Sequence, residues 1–137
     1  MSMAPLYMLD TDICAFLLRR ACEVLAERVQ AVPLAQQVMS VVSYAELLYG
    51  VELSSKKKTN AAEVEALARH VTVLDWTRDA AQHYAEIRVA LKRKGAMLGA
   101  NDLMIAAHAR SMGATVITNN SKDFRRVPGL SIDNWMR

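Results

Sequence analysis

The sequence predicts an α/β fold of three layers, in which a short central parallel sheet carries helices on both faces. Short apolar or β-branched runs alternate along the chain with longer segments of helical spacing, and this alternation favours right-handed βαβ units. The 137 residues are 53% hydrophobic with only 5 Gly and 3 Pro, so they can bury a core and contain no stretch typical of a linker. We therefore expect residues 1–137 to form a single domain.

Each predicted element follows from the spacing and type of its apolar residues. Strands are expected where apolar residues are continuous or alternate, and helices where they recur every three or four positions. Gly95 and Gly113 each follow a helical segment, and glycine commonly ends a helix. In chain order we expect a strand over 6–9, helices over 11–20 and 23–32, a strand over 38–42, helices over 43–53 and 61–69, a strand over 71–76, a helix over 77–94, a helix that opens near Asp102 and stops at Gly113, and strands over 114–117 and 130–132.

The composition excludes several classes of protein. No apolar run approaches the ~18 residues of a membrane span, and the N-terminus lacks the basic and apolar regions of a signal peptide. A cytoplasmic protein without membrane contact is therefore expected. Cys14 and Cys22 are too few for a disulfide framework, and the three histidines show no zinc-ligand spacing with them.

The basic residues are unevenly distributed. The net charge is +3, from 17 basic and 14 acidic residues, and the cations concentrate at 56–58, 88–94 and 122–126. Such clusters either attract polyanions or are simply solvated loops and helix ends. Arg88, Lys92 and Arg93 recur at helical spacing, which makes them candidates for a stripe that contacts a phosphate backbone.

Four acidic residues stand at related positions in the predicted fold. Asp10 and Asp123 follow strands, Glu46 lies one helical turn after a strand, and Asp102 opens the helix that leads into the next strand. Ligands of open α/β sheets bind beyond the carboxyl ends of the strands. We therefore expect these four carboxylates to meet at that edge.

Each acid also has a local explanation. Asp10 is placed to cap the helix after it, Ser43 with Glu46 fits the S-x-x-E capping box, and Asp123 fits a turn. Asp102 suits the first turn of a helix, where the helix dipole favours an acid. These readings do not explain why all four acids fall at one edge, where they would repel one another unless a cation compensates.

The chemistry of the four acids indicates a divalent metal site. Oxygen ligands without histidine or thiolate suit Mg²⁺ or Mn²⁺, which keep waters and bind phosphate oxygens. Such an ion activates water and neutralises charge on a phosphodiester. A basic protein with an acidic pocket is therefore expected to hydrolyse a nucleic-acid backbone.

The sequence resembles the VapC-type toxins of bacterial toxin–antitoxin systems, which are PIN-domain ribonucleases. The resemblance runs nearly from end to end and rests on four phrases: YMLDTDICAFLL, VSYAELLYGVELS, IRVALKRKGAMLGANDLMIAAHA and GATVITNNSKDFRRVPGLSIDNW. The ordered set of four acids within these phrases is specific. The resemblance implies a PIN-like fold and a toxin with metal-dependent endoribonuclease activity.

The resemblance also implies individual roles. Asp10 and Asp102 would be the principal metal ligands, and Glu46 and Asp123 would hold a second ion or order the attacking water. Thr118 and Asn119 match polar residues that line the pocket. The implied substrate is structured RNA, most specifically tRNA in its anticodon region. The implied partners are a second copy of the chain and a VapB antitoxin that blocks the site.

Two positions depart from the family pattern. Asp12 stands where Asn is common, which adds negative charge near the pocket, and Asp123 is often Glu, which is one methylene longer. Two other functions remain open: phosphoryl-transfer signalling, with Asp10, Asp75 and Thr118 in receiver-like positions, and a catalytically inactive module that binds RNA or protein.

Overall fold

The computed structural model describes residues 4–137, and its centre is a five-stranded sheet in which every paired neighbour is parallel. The spatial order is β3-β2-β1-β4-β5. Because β1 lies between β2 and β4, the chain places its first and fourth strands side by side at the centre. This confirms the predicted α/β class. The strands are β1 Tyr7–Leu9, β2 Gln37–Ser40, β3 Thr72–Leu74, β4 Thr115–Ile117 and β5 Ser131–Asp133.

Seven α-helices and one 3₁₀ turn connect the strands within residues 4–137. The 3₁₀ turn precedes β2 at Leu34–Gln36. The helices are α1 Thr11–Arg19, α2 Glu23–Ala31, α3 Val41–Leu53, α4 Lys57–His70, α5 Arg78–Lys94, α6 Ala100–Ser111 and α7 Ser121–Phe124. None of the helices between residues 4 and 137 is long and apolar enough to cross a membrane.

The two faces of the sheet build two separate cores, because successive side chains of a strand point to opposite faces. Met8 packs with Val116 and with the apolar residues of α5 and α6. Leu9, the next residue, packs with Ile117 and with residues of α1 to α4. Met8 and Leu9 are fully buried. Burying one such side chain stabilises the fold by roughly 1.5–3 kcal/mol.

The boundary between β2 and α3 differs from the prediction. Val41 and Val42 were expected in the strand because they are β-branched, but α3 begins at Val41. Ser40 caps this helix, since its Oγ accepts a hydrogen bond from the Val42 backbone N–H at 3.1 Å. Ser43 is consequently buried inside α3 and cannot form the predicted capping box with Glu46.

Three further elements differ from the prediction, either in where they begin or in their type. The helix expected over 61–69 begins at Lys57, so two of the three consecutive lysines are helical. Asp123, expected in a turn, lies in the one-turn helix α7, and α6, expected to open near Asp102, begins at Ala100 with Gly99 as its N-cap. Gly113 ends α6 as predicted, with a φ of 65° that favours glycine.

Helices α5 and α6 form an antiparallel pair that places the first turn of α6. Arg110, near the end of α6, donates to His83 Nδ1 and to Glu86 Oε1 in the first half of α5, both at 2.8 Å. Its third hydrogen bond goes to the Pro128 carbonyl at 3.0 Å. The short loop 95–99 then joins the end of α5 to the start of α6. Asp102 is thereby carried toward the carboxyl edge of the sheet.

Candidate metal centre

Asp10 directly follows β1 and is only 2% exposed. It is the N-cap of α1, as the local reading predicted: its Oδ1 accepts a hydrogen bond from the Ile13 backbone N–H at 2.8 Å. The pKa of Asp10 is raised to about 7, mainly by burial, which outweighs the lowering effect of hydrogen bonds from Thr118 and Ile13. The charges of Asp12 and Asp102 also contribute to this increase. The Asp10 carboxylate therefore both caps α1 and belongs to the acidic pocket.

Asp102 occupies the first turn of α6 and faces the other acids. The pKa of Asp102 is raised to about 6, mainly by burial and in addition by the charges of Asp12, Glu46 and Asp123. These repulsions require the carboxylates to lie near one another, although they come from distant parts of the chain. The structure therefore brings the four predicted acids to one electrostatic environment, which Asp12 makes more negative.

Glu46 is held by the segment that follows β1. Its Oε1 accepts a hydrogen bond from the Thr11 hydroxyl at 2.6 Å, and the Ser43 hydroxyl lies 3.1 Å from the same Thr11 oxygen. Ser43 stands three residues before Glu46, on the same face of α3. These contacts join α3 to the first turn of α1.

Asp123 is held by neighbours within its own segment. Its Oδ1 forms an ion pair with Arg126 Nη2 at 3.2 Å, and its Oδ2 accepts a hydrogen bond from Asn120 Nδ2 at 3.0 Å. Arg126 also donates to the Met97 carbonyl at 3.4 Å. The loop before α6 and the segment that carries Asp123 are thereby linked.

The donor set fits a hard divalent cation held by few protein ligands. Among residues 4–137, no group of three or more His, Cys, Asp or Glu side chains is already arranged to hold a metal ion. Mg²⁺ commonly binds through one or two carboxylates and keeps several waters, so it does not need such a cage. Asp10 and Asp102 have raised pKa values because burial and, to a lesser extent, neighbouring acids disfavour their charged forms. A cation between them would compensate their negative charges.

The other predicted site residues lie in different environments. Thr118 is buried against Asp10. Asn119 is exposed, and its Oδ1 accepts a hydrogen bond from Asn134 Nδ2 at 3.1 Å. Arg88 folds back on Tyr84, 3.0 Å from its hydroxyl oxygen. Lys92 and Arg93 stand in the last turn of α5, just before the loop that leads to Asp102.

Two supporting contacts were missed by the sequence reasoning. Thr11 donates a hydrogen bond to Glu46. In the sequence, only its position directly after Asp10 could have indicated this role. His108 is fully buried, with its Nδ1 2.8 Å from Ser40 Oγ. This contact joins the helix of Asp102 to the N-cap of the helix of Glu46. Burial lowers the pKa of His108, while the backbone carbonyl and charge of Asp75 raise it.

Comparisons with known proteins identify the family of the chain. Residues 7–130 match the PIN domain family. Ribonuclease VapC2 of Rickettsia felis is 34% identical over 131 residues, which cover 95% of this chain and 98% of the relative. The tRNA(fMet)-specific endonuclease VapC of Salmonella typhimurium is 40% identical over 129 residues, which cover 94% and 97%.

Solved structures show the same fold. DNA-bound VapBC from Salmonella typhimurium matches with a TM-score of 0.91 and 39% identity, over 96% of this chain and 99% of that one. VapBC2 from Rickettsia felis, bound to a DNA fragment from its promoter, matches with a TM-score of 0.90 and 34% identity, over 95% and 98%.

The fold and the acidic edge define a metal-dependent nuclease of the PIN-domain class. The chain belongs to the PIN-domain family and, within it, to the VapC ribonucleases of VapBC toxin–antitoxin systems. This membership supports the nuclease interpretation over receiver-type phosphoryl transfer. The metal-ligand and catalytic roles of the individual acids stay predictions.

Proposed function

We propose that the chain is a Mg²⁺-dependent endoribonuclease toxin that cleaves tRNA in its anticodon region and so inhibits translation. The observation that carries this proposal is the buried Asp10 beside Asp102, two carboxylates whose pKa values are raised at the carboxyl edge of the sheet. Mn²⁺ is expected to replace Mg²⁺, because both are hard cations with oxygen ligands. The proposed site of action is the cytoplasm.

We expect the four acids to have two different roles in the site. Asp10 and Asp102 would hold Mg²⁺, which when bound activates water and neutralises charge on the phosphate. The Ile13 N–H and Thr118 fix the Asp10 carboxylate, so its orientation is set before substrate binds. Glu46 and Asp123 would order the attacking water or hold a second ion. Water as the nucleophile leaves 5′-phosphate and 3′-hydroxyl ends.

The proposed partners follow from the relatives and from the surface. The Salmonella relative is named for tRNA(fMet), and the matching solved structures are complexes of VapC with VapB. We infer that this chain likewise binds a VapB antitoxin, which blocks the acidic pocket. Tyr49 and Leu53 on α3 are 66% and 69% exposed, and such large apolar side chains support a homodimer.

The direct test is cleavage of purified tRNA by antitoxin-free protein on a denaturing gel. We expect discrete fragments with Mg²⁺, none with EDTA, and none with the Asp102→Asn variant. Sequencing of the fragment ends would then locate the cut and identify the terminal groups. Folded, Mg²⁺-loaded protein that cleaves neither tRNA nor ribosomal RNA would contradict the proposal and favour a binding module.

A further inference from the structure

A polar cleft lies next to the segment that carries Asp123. It has a volume of about 470 Å³, within the range of ligand sites. We call it the α7 cleft, and its polar lining residues are Ser121, Lys122, Arg125, Asp133, Asn134 and Arg137. The first three belong to α7 or directly follow it, and the others belong to the end of β5 or follow it.

The α7 cleft carries uncompensated positive charge. Among the lining side chains, the cations Lys122, Arg125 and Arg137 face one acid, Asp133. Within the described part of the chain, none of these three cations forms an ion pair with an acid. Arg126, the neighbour of Arg125, differs because it is paired with Asp123. The cleft cations are therefore available for an anionic ligand.

Hydrogen bonds hold the walls of the cleft in place. Arg28 Nη2 donates to the Arg137 carbonyl at 2.8 Å. Asn134 donates to Asn119 at 3.1 Å, and its Oδ1 accepts from the Met136 backbone N–H at 2.8 Å. These contacts fix the backbone that carries Asn134 and Arg137, while the basic side chains stay exposed.

The α7 cleft and the acidic pocket share the helix α7 and are linked through Thr118 and Asp133. Asp123 stands between Lys122 and Arg125 in the chain. The single turn of α7 therefore contributes residues both to the acidic pocket and to the α7 cleft. The Asp133 carbonyl accepts a hydrogen bond from the Thr118 backbone N–H at 3.0 Å, and the Thr118 side chain contacts Asp10. A polyanion that enters the acidic pocket must be held against repulsion, and adjacent cations provide that attraction.

We propose that the α7 cleft binds a backbone phosphate of the RNA next to the scissile linkage, and this inference rests on the proposed function. Lys122 and Arg125 supply the principal contacts, and Arg137 with the Asn134 amide completes the subsite. Lys92 and Arg93 belong to the last turn of α5 and do not line the α7 cleft. The α7 cleft is thus a separate phosphate contact on the β5 side of the pocket.

The test measures binding of fluorescently labelled tRNA to the Asp102→Asn protein, in which cleavage is blocked. Arg125→Gln in this background should weaken binding about three- to ten-fold and reduce the slope of log affinity against log salt by about 0.7–0.9, the loss of one phosphate contact. Adding Lys122→Gln should reduce the slope again by a similar amount. Arg69→Gln is the matched control.

Arg69 is exposed and lies just before β3, at the opposite edge of the sheet, so its loss should leave affinity and slope near the parental values. If Arg125→Gln behaves like Arg69→Gln, the α7 cleft is not a phosphate subsite, although the nuclease proposal still stands. If the Asp102→Asn protein binds no tRNA and the unsubstituted protein cleaves none, the proposed function itself fails.

A second readout uses the active protein. Arg125→Gln should raise KM for tRNA cleavage by a similar factor and leave kcat close to that of the unsubstituted protein, because a contact to a flanking phosphate acts equally in the ground and transition states. A fall in kcat alone, with KM unchanged, would overturn the assignment of a substrate-binding subsite.

Discussion

The four acids form two pairs that differ in the residues surrounding their carboxylates. The inner pair, Asp10 and Asp102, has raised pKa values because burial and neighbouring acids destabilise the charged forms. The outer pair, Glu46 and Asp123, receives a hydroxyl donor and an arginine ion pair from neighbouring residues. The difference indicates that the charge of the inner pair is left for an added cation to compensate, whereas the outer pair already has donors from neighbouring side chains.

The largest predicted effect is on catalysis by the inner pair. Asp10→Asn and Asp102→Asn should each lower kcat/KM for tRNA cleavage by about a thousand-fold or more, equal to about 4 kcal/mol of transition-state stabilisation. Single-turnover cleavage assays at saturating Mg²⁺ would measure this loss. Asn keeps the shape of the side chain and can still cap α1 at position 10, so the folded state is preserved. Activity within ten-fold of the parent, in either variant, would remove that residue from the metal site.

The second prediction concerns the stability of metal-free protein against pH. The pKa of Asp10 rises from 3.8 to about 7 on folding, so between these values the folded protein holds a proton that the unfolded chain has released. The free energy of unfolding should therefore fall as pH rises from about 4 to about 7, by at most about 4 kcal/mol from this group. Urea denaturation in EDTA at several pH values would measure it.

The Asp10→Asn variant provides the control for that pH dependence. It should lack most of this loss and be more stable than the parent at pH above about 7 in EDTA, because it does not have to bury a charge. Added Mg²⁺ should stabilise the parent, by about 2.7 kcal/mol at a hundred times its Kd, and have little effect on the variant. Equal pH dependence in the two proteins would show that the Asp10 charge is not the destabilising group.

The third prediction concerns catalysis by the outer pair. Glu46→Gln and Asp123→Asn should lower kcat/KM by about 10- to 100-fold, the usual effect of residues that support metal ligands. Thr11→Val, which removes the donor to Glu46, should cause a smaller loss in the same direction. If either outer-pair substitution matches the loss at Asp102, the division into inner and outer pairs is wrong.

The smallest predicted effect is that of Arg126. Its ion pair with Asp123 joins side chains that are 38% and 39% exposed, so it should contribute less than about 1 kcal/mol to stability. Thermal unfolding of Arg126→Gln should show only a small decrease in Tm. In the cleavage assay the same variant should need no more Mg²⁺ for half-maximal activity, because Asn120 still binds the Asp123 carboxylate. A loss of activity as large as that of Asp123→Asn would show that Arg126 itself takes part in the reaction.

Much of the fold was predictable because the strands and helices have different periods. The parallel sheet and the edge where the acids meet follow from elements whose existence is clear in the sequence. The boundary at Ser40 was missed because the preference of two valines for strand was outweighed by one serine cap. Contacts such as Thr11 with Glu46 join residues far apart in the chain, and no local pattern encodes them.

The central claim is that Asp10 and Asp102 together hold a divalent ion. The most direct measurement is a crystal structure of the protein soaked in Mn²⁺, with the anomalous signal of manganese recorded. We expect a peak between the two carboxylates, with an oxygen of each at about 2 Å, a typical metal–oxygen distance. Absence of such a peak at a Mn²⁺ concentration that supports cleavage, or a peak bound only by other residues, would contradict the claim.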